Sequence, residues 1–494
     1  MGSKASSDIK TPMIFHQDSS DELPLKTIPG SYGMPFFGPI KDRLDFFWFQ
    51  GQTKFWTSRM EKYQSTVFHV NVAPGPPGFR TSHVVMLLDQ KSFPILFDVS
   101  KVEKKDVLLA NYMPSLSLFG GTRPCVFLDP SEELHAKVKS FVMNIIKLNA
   151  SKWIPEMQKA ALEVFPKWDL EMNEKAKAEV NTHTSQVACN VLVRTVLGRD
   201  PAAPGEATLK TDGPSLFRTW LAPFLAPIAS IGLPHILEEL TFHSFPIPSF
   251  VASGTYKKLT NFFEIYGTEL LDMAEREHGI DRHEALHNII FFMGFNAFGG
   301  LQLFLPAMVE YVAGAGQKLH DALVKEVRDA VKEEGGSALT VAALRRMELS
   351  RSIVYESLRM SPPVAYQYAR AKEDITVESH DARYEIKKGE LIGGCQPVAT
   401  RDPRVFKDAE KFVAERFMGE EGKKLIKYVL WGNGPADGKP SVSNKQCAAN
   451  DLVPLLSQAF LACLFLHYDS FTIFKPTIKG NSVTIHFSSL RKAC

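Results

Sequence analysis

The sequence predicts a mainly α fold with a smaller β region, an α+β architecture, on three observations. From about residue 131 to 360, apolar residues recur three and four apart, the period of a helix with one buried face. Shorter stretches on either side of that body alternate apolar and polar residues, the period of a half-buried strand. No internal repeat and no long low-complexity linker divides the chain. A length of 494 residues would fit about three average domains, but the missing boundary favours one large domain over 24–494.

The elements follow in order. Residues 1–23, "MGSKASSDIKTPMIFHQDSSDEL", are polar and expected to be disordered. They lack the apolar centre of a secretory signal, and "MGSKAS" fits the loose N-myristoylation pattern. "IPGSYGMPFFGPIKDRLDFF" (28–47) is a Pro/Gly-rich entry running into a helix start. "YQSTVFHVNV" (63–72), a turn at "APGPPG", and "HVVMLLD" (83–89) read as strand, turn and strand. "SEELHAKVKSFVMNIIKL" (131–148) opens with a capping box in which Ser131 precedes the acid Glu133, one residue early for the ideal form. "DRHEALHNIIFFMGFNAFGGLQLFL" (281–305) is apolar on nearly all sides, so this helix should cross the interior. "ITVESHDARYEIKKGELIGGC" (375–395) returns to strand alternation. A second buried helix follows in "DLVPLLSQAFLACLFLHYDS" (451–470), and "SVTIHF" (482–487) closes the chain as a strand.

Composition excludes several classes. A net charge of +2 and 23% charged residues leave no nucleic-acid footprint and no polybasic patch. The six cysteines, at 125, 189, 395, 447, 463 and 494, form no CxxC pair, so neither a disulfide scaffold nor a zinc site is expected. Residues 1–23 hold no run of roughly 18 apolar residues for a spanning helix, which leaves peripheral membrane association open. The 35 phenylalanines call for a large apolar interior.

Two features carry chemistry. Cys447, in "NKQCAAND" (444–451), lies in a loop before a helix. Amide N–H groups, the positive helix end and neighbouring Lys445 all favour a thiolate there; the alternative is an inert cysteine. "YESLR" places Glu356 and Arg359 three apart on one helix face, either as a solvated ion pair or as a buried one. "FVAERF" (412–417) then brings Arg416 ahead of the cysteine loop.

That order of Glu-x-x-Arg helix, Arg-Phe turn, cysteine loop and helix resembles the cytochrome P-450 haem-thiolate family. The usual loop, Phe-x-x-Gly-x-Arg-x-Cys-x-Gly, is broken here by Ser443, Lys445 and Ala449. Its look-alike start, "WGNG" at 431–434, comes nine residues too early, as if "PADGKPSVS" had been inserted. "GFNAFGG" (294–300) lacks the acid and alcohol that oxygen-activating members use to relay protons. Together with "KSFPILFDVSKVEKKDV", "FLDPSEELHAKVK", "FNAFGG" and "NKQC", these departures resemble one plant-type branch acting on fatty acid hydroperoxides. It comprises allene oxide synthases, hydroperoxide lyases, divinyl ether synthases and epoxyalcohol synthases.

The resemblance implies a haem b whose iron is ligated by Cys447, with Lys104, His135, Lys139 and Lys445 as partners of its propionates. It implies homolytic O–O scission of a linoleic- or linolenic-derived hydroperoxide, with neither dioxygen nor a redox partner. Glu356, Arg359 and Arg416 would form a structural ion network. Asn296 would sit beside the hydroperoxide; the alternative for a buried Asn is a backbone bond at a kink near Gly299 and Gly300. Leu108, Val126, Phe295 and Ala297 would line the substrate pocket. Leu108 stands where allene oxide synthases typically carry Phe, and Val126 where they often carry Ser. With Ala297, these apolar replacements point to a hydroperoxide lyase ahead of an allene oxide synthase or a divinyl ether or epoxyalcohol synthase. A non-catalytic haem sensor would share the cysteine loop without needing Asn296. The family implies a plastid membrane location, with the cytosol as the alternative left by the acidic N-terminus.

Overall fold

A computed structural model of the chain describes residues 22–209, 212–336 and 338–493. Apart from its last two residues, the 1–23 segment expected to be disordered lies outside them, as does Cys494.

The helical body forms where the period predicted it. Trp153–Lys175 packs along Val180–Leu197, and both press apolar faces into one extended core. The central helix runs as a continuous Arg282–Ala315 element of 34 residues. Its second half, Gly299–Ala315, lies against Val180–Leu197 and Glu348–Met360. Leu452–His467 packs on Trp153–Lys175, Gln317–Glu333 and Glu348–Met360, burying nearly every side chain from Leu456 to Phe465.

Among the described residues, Arg282–Ala315 is the one helix long and apolar enough, by length and composition, to cross a membrane. It is the helix that the sequence predicted to be apolar on nearly all sides. Fully buried Ile290, Met293, Leu305 and Val309 identify it as a core helix.

A five-stranded sheet flanks the body. Its order is Val67–Val72, Ser82–Leu87, Leu391–Cys395, Tyr366–Ala371 and Val102–Glu103. The predicted first two strands pair antiparallel, with Val67 opposite Leu87 and Val72 opposite Ser82. Ser82–Leu87 runs parallel to Leu391–Cys395, with Val85 opposite Ile392, so a strand from the first hundred residues is locked to one far along the chain. The closing strand, His486–Lys492, pairs with Tyr468–Ile473 and Ala178–Glu179.

One helix start differs from expectation. The helix Glu133–Leu148 has Glu132 as its N-cap, with no side-chain cap bond. Ser131 Oγ instead donates to Asp129 Oδ1 at 2.7 Å, a charged and nearer acceptor that outcompetes the helix N–H groups.

Candidate active site

The cysteine loop closes on itself. Leu430–Trp431 pairs antiparallel with Gly434–Pro435, and Gly432 between them adopts a φ of 58°. The Gly432 carbonyl accepts the Cys447 N–H at 2.7 Å, and a Cβ on Gly432 would stand 2.8 Å from the Cys447 Cβ. Glycine is therefore required there both for its left-handed conformation and for the close approach. The intervening residues loop out and are tied at their base. Gln446 Nε2 donates to the Pro435 carbonyl at 2.7 Å, and Asn450 Nδ2 donates to the carbonyls of Ala436 and Gly438, both at 2.9 Å. Thus "WGNG", displaced in sequence, lies beside the cysteine in space.

Burial pushes the Cys447 thiol up, opposed by an N–H bond from Ala449 and by the charge of Lys139. The Lys139 ammonium donates to the carbonyls of Asn444, at 3.3 Å, and Gln446. Lys445 was expected to be the cation stabilising the sulfur, and this is corrected. Its ammonium turns away to the carbonyls of Cys125 (2.8 Å), Val126 (3.2 Å) and Leu128 (2.8 Å), because the turn Cys125–Phe127 offers a convergent set of acceptors there.

Four basic side chains gather around this loop. Lys104 Nζ donates to the Tyr368 carbonyl at 2.9 Å and to Asn433 Oδ1 at 3.3 Å. His135 Nδ1 bonds the Val442 carbonyl at 3.1 Å. With Lys139 and Lys445, these groups have neutral acceptors, and all four basic groups are pulled below their ordinary ranges. Desolvation, then the charge of Lys445, brings Lys104 down to about 7. Desolvation brings Lys445 to about 8, with Lys139 adding to it. His135 falls to about 4 by desolvation and by both lysines, and Lys139 is lowered by desolvation. Asp129 is a nearby carboxylate, but it already accepts the Lys104 N–H at 2.6 Å and the Ser131 hydroxyl. Crowded cations lacking anionic partners, beside a partly buried thiol, suit a ligand that brings a thiophilic metal and two carboxylates. The residues therefore fit haem, with Cys447 to hold iron and the basic set to hold the propionates.

Across the central helix, Phe292–Phe298 has π-helical register, an irregularity common at functional sites. Gly294 lets the helix approach its neighbour, since a Cβ there would meet the Trp220 ring at 2.6 Å and Phe217 at 2.7 Å. Asn296 is exposed, and its side chain makes no hydrogen bond among the described residues. The buried, backbone-bonded alternative is thereby removed. Phe295 and Ala297 flank it, each partly buried.

Leu108 and Val126 are partly buried against the same core. The Asp106 N–H donates to the Phe127 carbonyl at 2.9 Å, tying their two segments together. The Phe127 ring lies 6.1 Å from Phe291, which in turn lies 4.9 Å from Phe295. A chain of contacts thus runs from the cysteine loop through Lys445 to Val126 and on to the helix bearing Asn296.

The ion pair of "YESLR" is buried rather than solvated. Arg359 Nε and Nη2 donate to the Glu356 carboxylate at 2.7 and 2.8 Å. Arg416 Nε reaches both its oxygens at 3.1 and 3.0 Å, and both members of the Glu356–Arg359 pair have no exposed side-chain surface. Asn433, Gln446 and Asn450 also build the site, and the sequence reading missed them. The "WGNG" look-alike was the signal for the first.

Comparison with known proteins agrees. The cytochrome P-450 family profile matches residues 316–435. Allene oxide synthase 1, chloroplastic, of Solanum lycopersicum is 46% identical over 473 residues, covering 96% of this chain and 87% of that protein. A divinyl ether synthase of Selaginella moellendorffii is 44% identical over 474 residues, 95% and 96% of the two chains. The fatty acid hydroperoxide lyase, chloroplastic, of Solanum lycopersicum is 44% identical over 451 residues, 91% and 94%. The chain therefore belongs to the haem-binding cytochrome P-450 family, in the branch whose members are named allene oxide synthases, divinyl ether synthases and fatty acid hydroperoxide lyases.

Proposed function

We propose that residues 24–494 form one catalytic domain, a fatty acid hydroperoxide lyase that cleaves polyunsaturated hydroperoxides into short aldehydes and oxo-acids without dioxygen or a reductase. The observation supporting this reading is that aliphatic Leu108 and Val126 are partly buried against one core, on segments that the bond from the Asp106 N–H to the Phe127 carbonyl ties together. Bound haem supplies the one-electron chemistry that breaks the peroxide O–O bond. Lys104, His135 and Lys139 would hold its propionates and Cys447 its iron, whereas Lys445, expected in the same role, donates to the carbonyls of Cys125, Val126 and Leu128. The unpaired Asn296 amide is free to donate to a hydroperoxide oxygen and so orient it. Leu108, Val126 and Ala297 present no π face or hydroxyl to the carbon radical on the substrate. Further oxidation to a cation then gains no stabilisation, and rearrangement with chain cleavage competes better.

Overall identity does not separate the activities, since relatives named for synthases and for a lyase lie at 46% and 44%. Products do. Incubating purified protein with a linolenic acid hydroperoxide is expected to give short aldehydes; ketols and cyclopentenone without aldehydes would make it an allene oxide synthase. Loss of the diene absorbance separates either enzyme from a sensor. Leu108→Phe is expected to raise the ketol share several-fold, because a ring face stabilises an adjacent cation by about 0.5–2 kcal/mol. An unchanged ratio would sink the pocket argument.

The same reading extends to a peripheral site on plastid membranes; several relatives are named chloroplastic. Its support is a face with inverted amphipathicity. In His235–Glu238 and Glu239–His243, the charged residues turn inward. Arg43 donates to Glu239 at 2.5 Å, Glu239 bonds His243 at 3.0 Å, and Glu238 accepts the N–H groups of Ile231 and Leu233. Ile236 faces out at 77% exposed, alongside Leu237 and Leu240. The neighbouring helix Phe37–Leu44 repeats the pattern, with Arg43 buried and Phe37 65% exposed. Trp48 stacking on His235 at 4.3 Å joins the two. The acids of these segments, Asp42, Asp45, Glu238 and Glu239, are at least partly buried, whereas Lys41 and, on the adjoining hairpin, Lys479 are exposed. Lys41 pairs with Asp45 at 3.0 Å, so the rim charge rests on Lys479, and the apolar face with it suits a membrane surface. Phe37→Glu with Ile236→Glu is expected to weaken co-sedimentation with anionic vesicles by roughly tenfold or more, given about 1.5–3 kcal/mol per buried apolar side chain. Unchanged sedimentation, or a concentration-dependent dimer that the pair abolishes, would assign the face elsewhere.

A further inference from the structure

The turn that carries Val126 is suspended between two elements. From the cysteine loop, Lys445 takes the carbonyls of Cys125, Val126 and Leu128. From the central helix, Asn288 Oδ1 accepts the Cys125 N–H at 2.9 Å. Asn288 is 3% exposed and lies two turns before Asn296. Its Nδ2 donates to the Glu284 carbonyl at 3.0 Å and to Glu284 Oε1 at 2.8 Å. With both donors pointing back along its own helix, the amide has a single orientation, and its oxygen must face Cys125.

We infer that Asn288 is a positioning residue that sets the product distribution by fixing the Val126 wall relative to the Asn296 helix; the inference rests on the pocket assigned above. The upstream part of the segment is held separately. Trp220 Nε1 donates to the Leu118 carbonyl at 2.8 Å, and His283 Nε2 bonds the Gly120 carbonyl at 2.9 Å. Among the described residues, the Asn288 bond is the hydrogen bond that ties the turn itself to the central helix. Without it, a buried N–H is left unpaired, and the turn must shift to find water or another acceptor. Because Lys445 still holds the carbonyls of the turn and Arg123 Nη2 the Phe127 carbonyl at 3.0 Å, the shift re-aims Val126 rather than unfolding the segment.

The test uses haem-loaded protein and a linolenic acid hydroperoxide, reading the aldehyde-to-ketol ratio together with the absorption spectrum. Asn288→Ala is expected to change the ratio by about threefold or more, the scale on which a small displacement of a pocket wall acts, while the haem spectrum stays as in wild type. Asn288→Asp, which keeps an oxygen for Cys125 but loses the donations to Glu284, should fall between wild type and Asn288→Ala. Should Asn288→Ala fold poorly, the isosteric Asn288→Leu removes the same acceptor and carries the test. An unchanged ratio in a correctly loaded Ala or Leu variant overturns the inference. The lyase reading fails on a different result, a wild-type enzyme that yields ketols alone; the role of Asn288 is judged on the difference between wild type and variant, whichever product predominates.

Discussion

Protein carrying Cys447→Ser is expected to lose its thiolate-type haem spectrum, and hydroperoxide turnover should fall on the order of 10³-fold or more, the scale of deleting an essential group. The substitution is close to isosteric and spares the loop. The bond from the Cys447 N–H to the Gly432 carbonyl and the bond from the Asn450 N–H to the Cys447 carbonyl are both made by the main chain. What changes is the ligand atom. Metal binding favours the ionised thiol; a serine hydroxyl has a far higher pKa and gives iron no comparable electron donation. The basic cluster is untouched, so weak haem retention with altered absorbance is the expected remainder. A serine variant that kept both the thiolate-type spectrum and lipid turnover would refute iron ligation by residue 447.

How far the sequence reached can be judged from particular residues. The central helix was legible because its apolar character extends right round the cylinder, and the paired strands at 63–72 and 83–89 because their alternation is interrupted by a proline turn. The accessibility of Asn296 was not legible. Helical periodicity reports which face is apolar, but here the whole segment is apolar, and the face that opens is set by how Gly294 packs on Trp220 and Phe217. The cysteine loop was recognised with its parts in the wrong spatial relation. An inserted stretch breaks the sequence spacing, while Gln446 and Asn450 restore contact through bonds to main-chain carbonyls that no spacing rule encodes. Lys445 was placed near the sulfur because it is two residues away; a lysine stem is long enough to reach a different turn, and three carbonyls draw it there. For Glu356 and Arg359, spacing fixed the pairing and said nothing of the burial, which depends on the arrival of residues 400–417.

That burial makes Glu356→Ala the second large prediction. The carboxylate accepts from Arg359 twice, from Arg416, and from the Val413 N–H at 2.9 Å. Arg359 spends its remaining donors on the carbonyls of Thr400, Ala409 and Lys411, so it cannot swing to water. Phe406 lies under both guanidinium groups, at 5.1 and 5.8 Å. Removing the one anion strands a buried cation, a change that typically costs about 3–5 kcal/mol, against a total stability of about 5–15 kcal/mol. Much of the margin would go. The variant is expected to melt far below wild type and to be recovered mostly without haem, because the network pins Glu348–Met360 to the segment that leads into the cysteine loop. Glu356→Gln keeps an acceptor and should lose less. Melting of Glu356→Ala within a degree or two of wild type, with full haem content, would show that the three side chains merely coincide and that packing alone holds the segment.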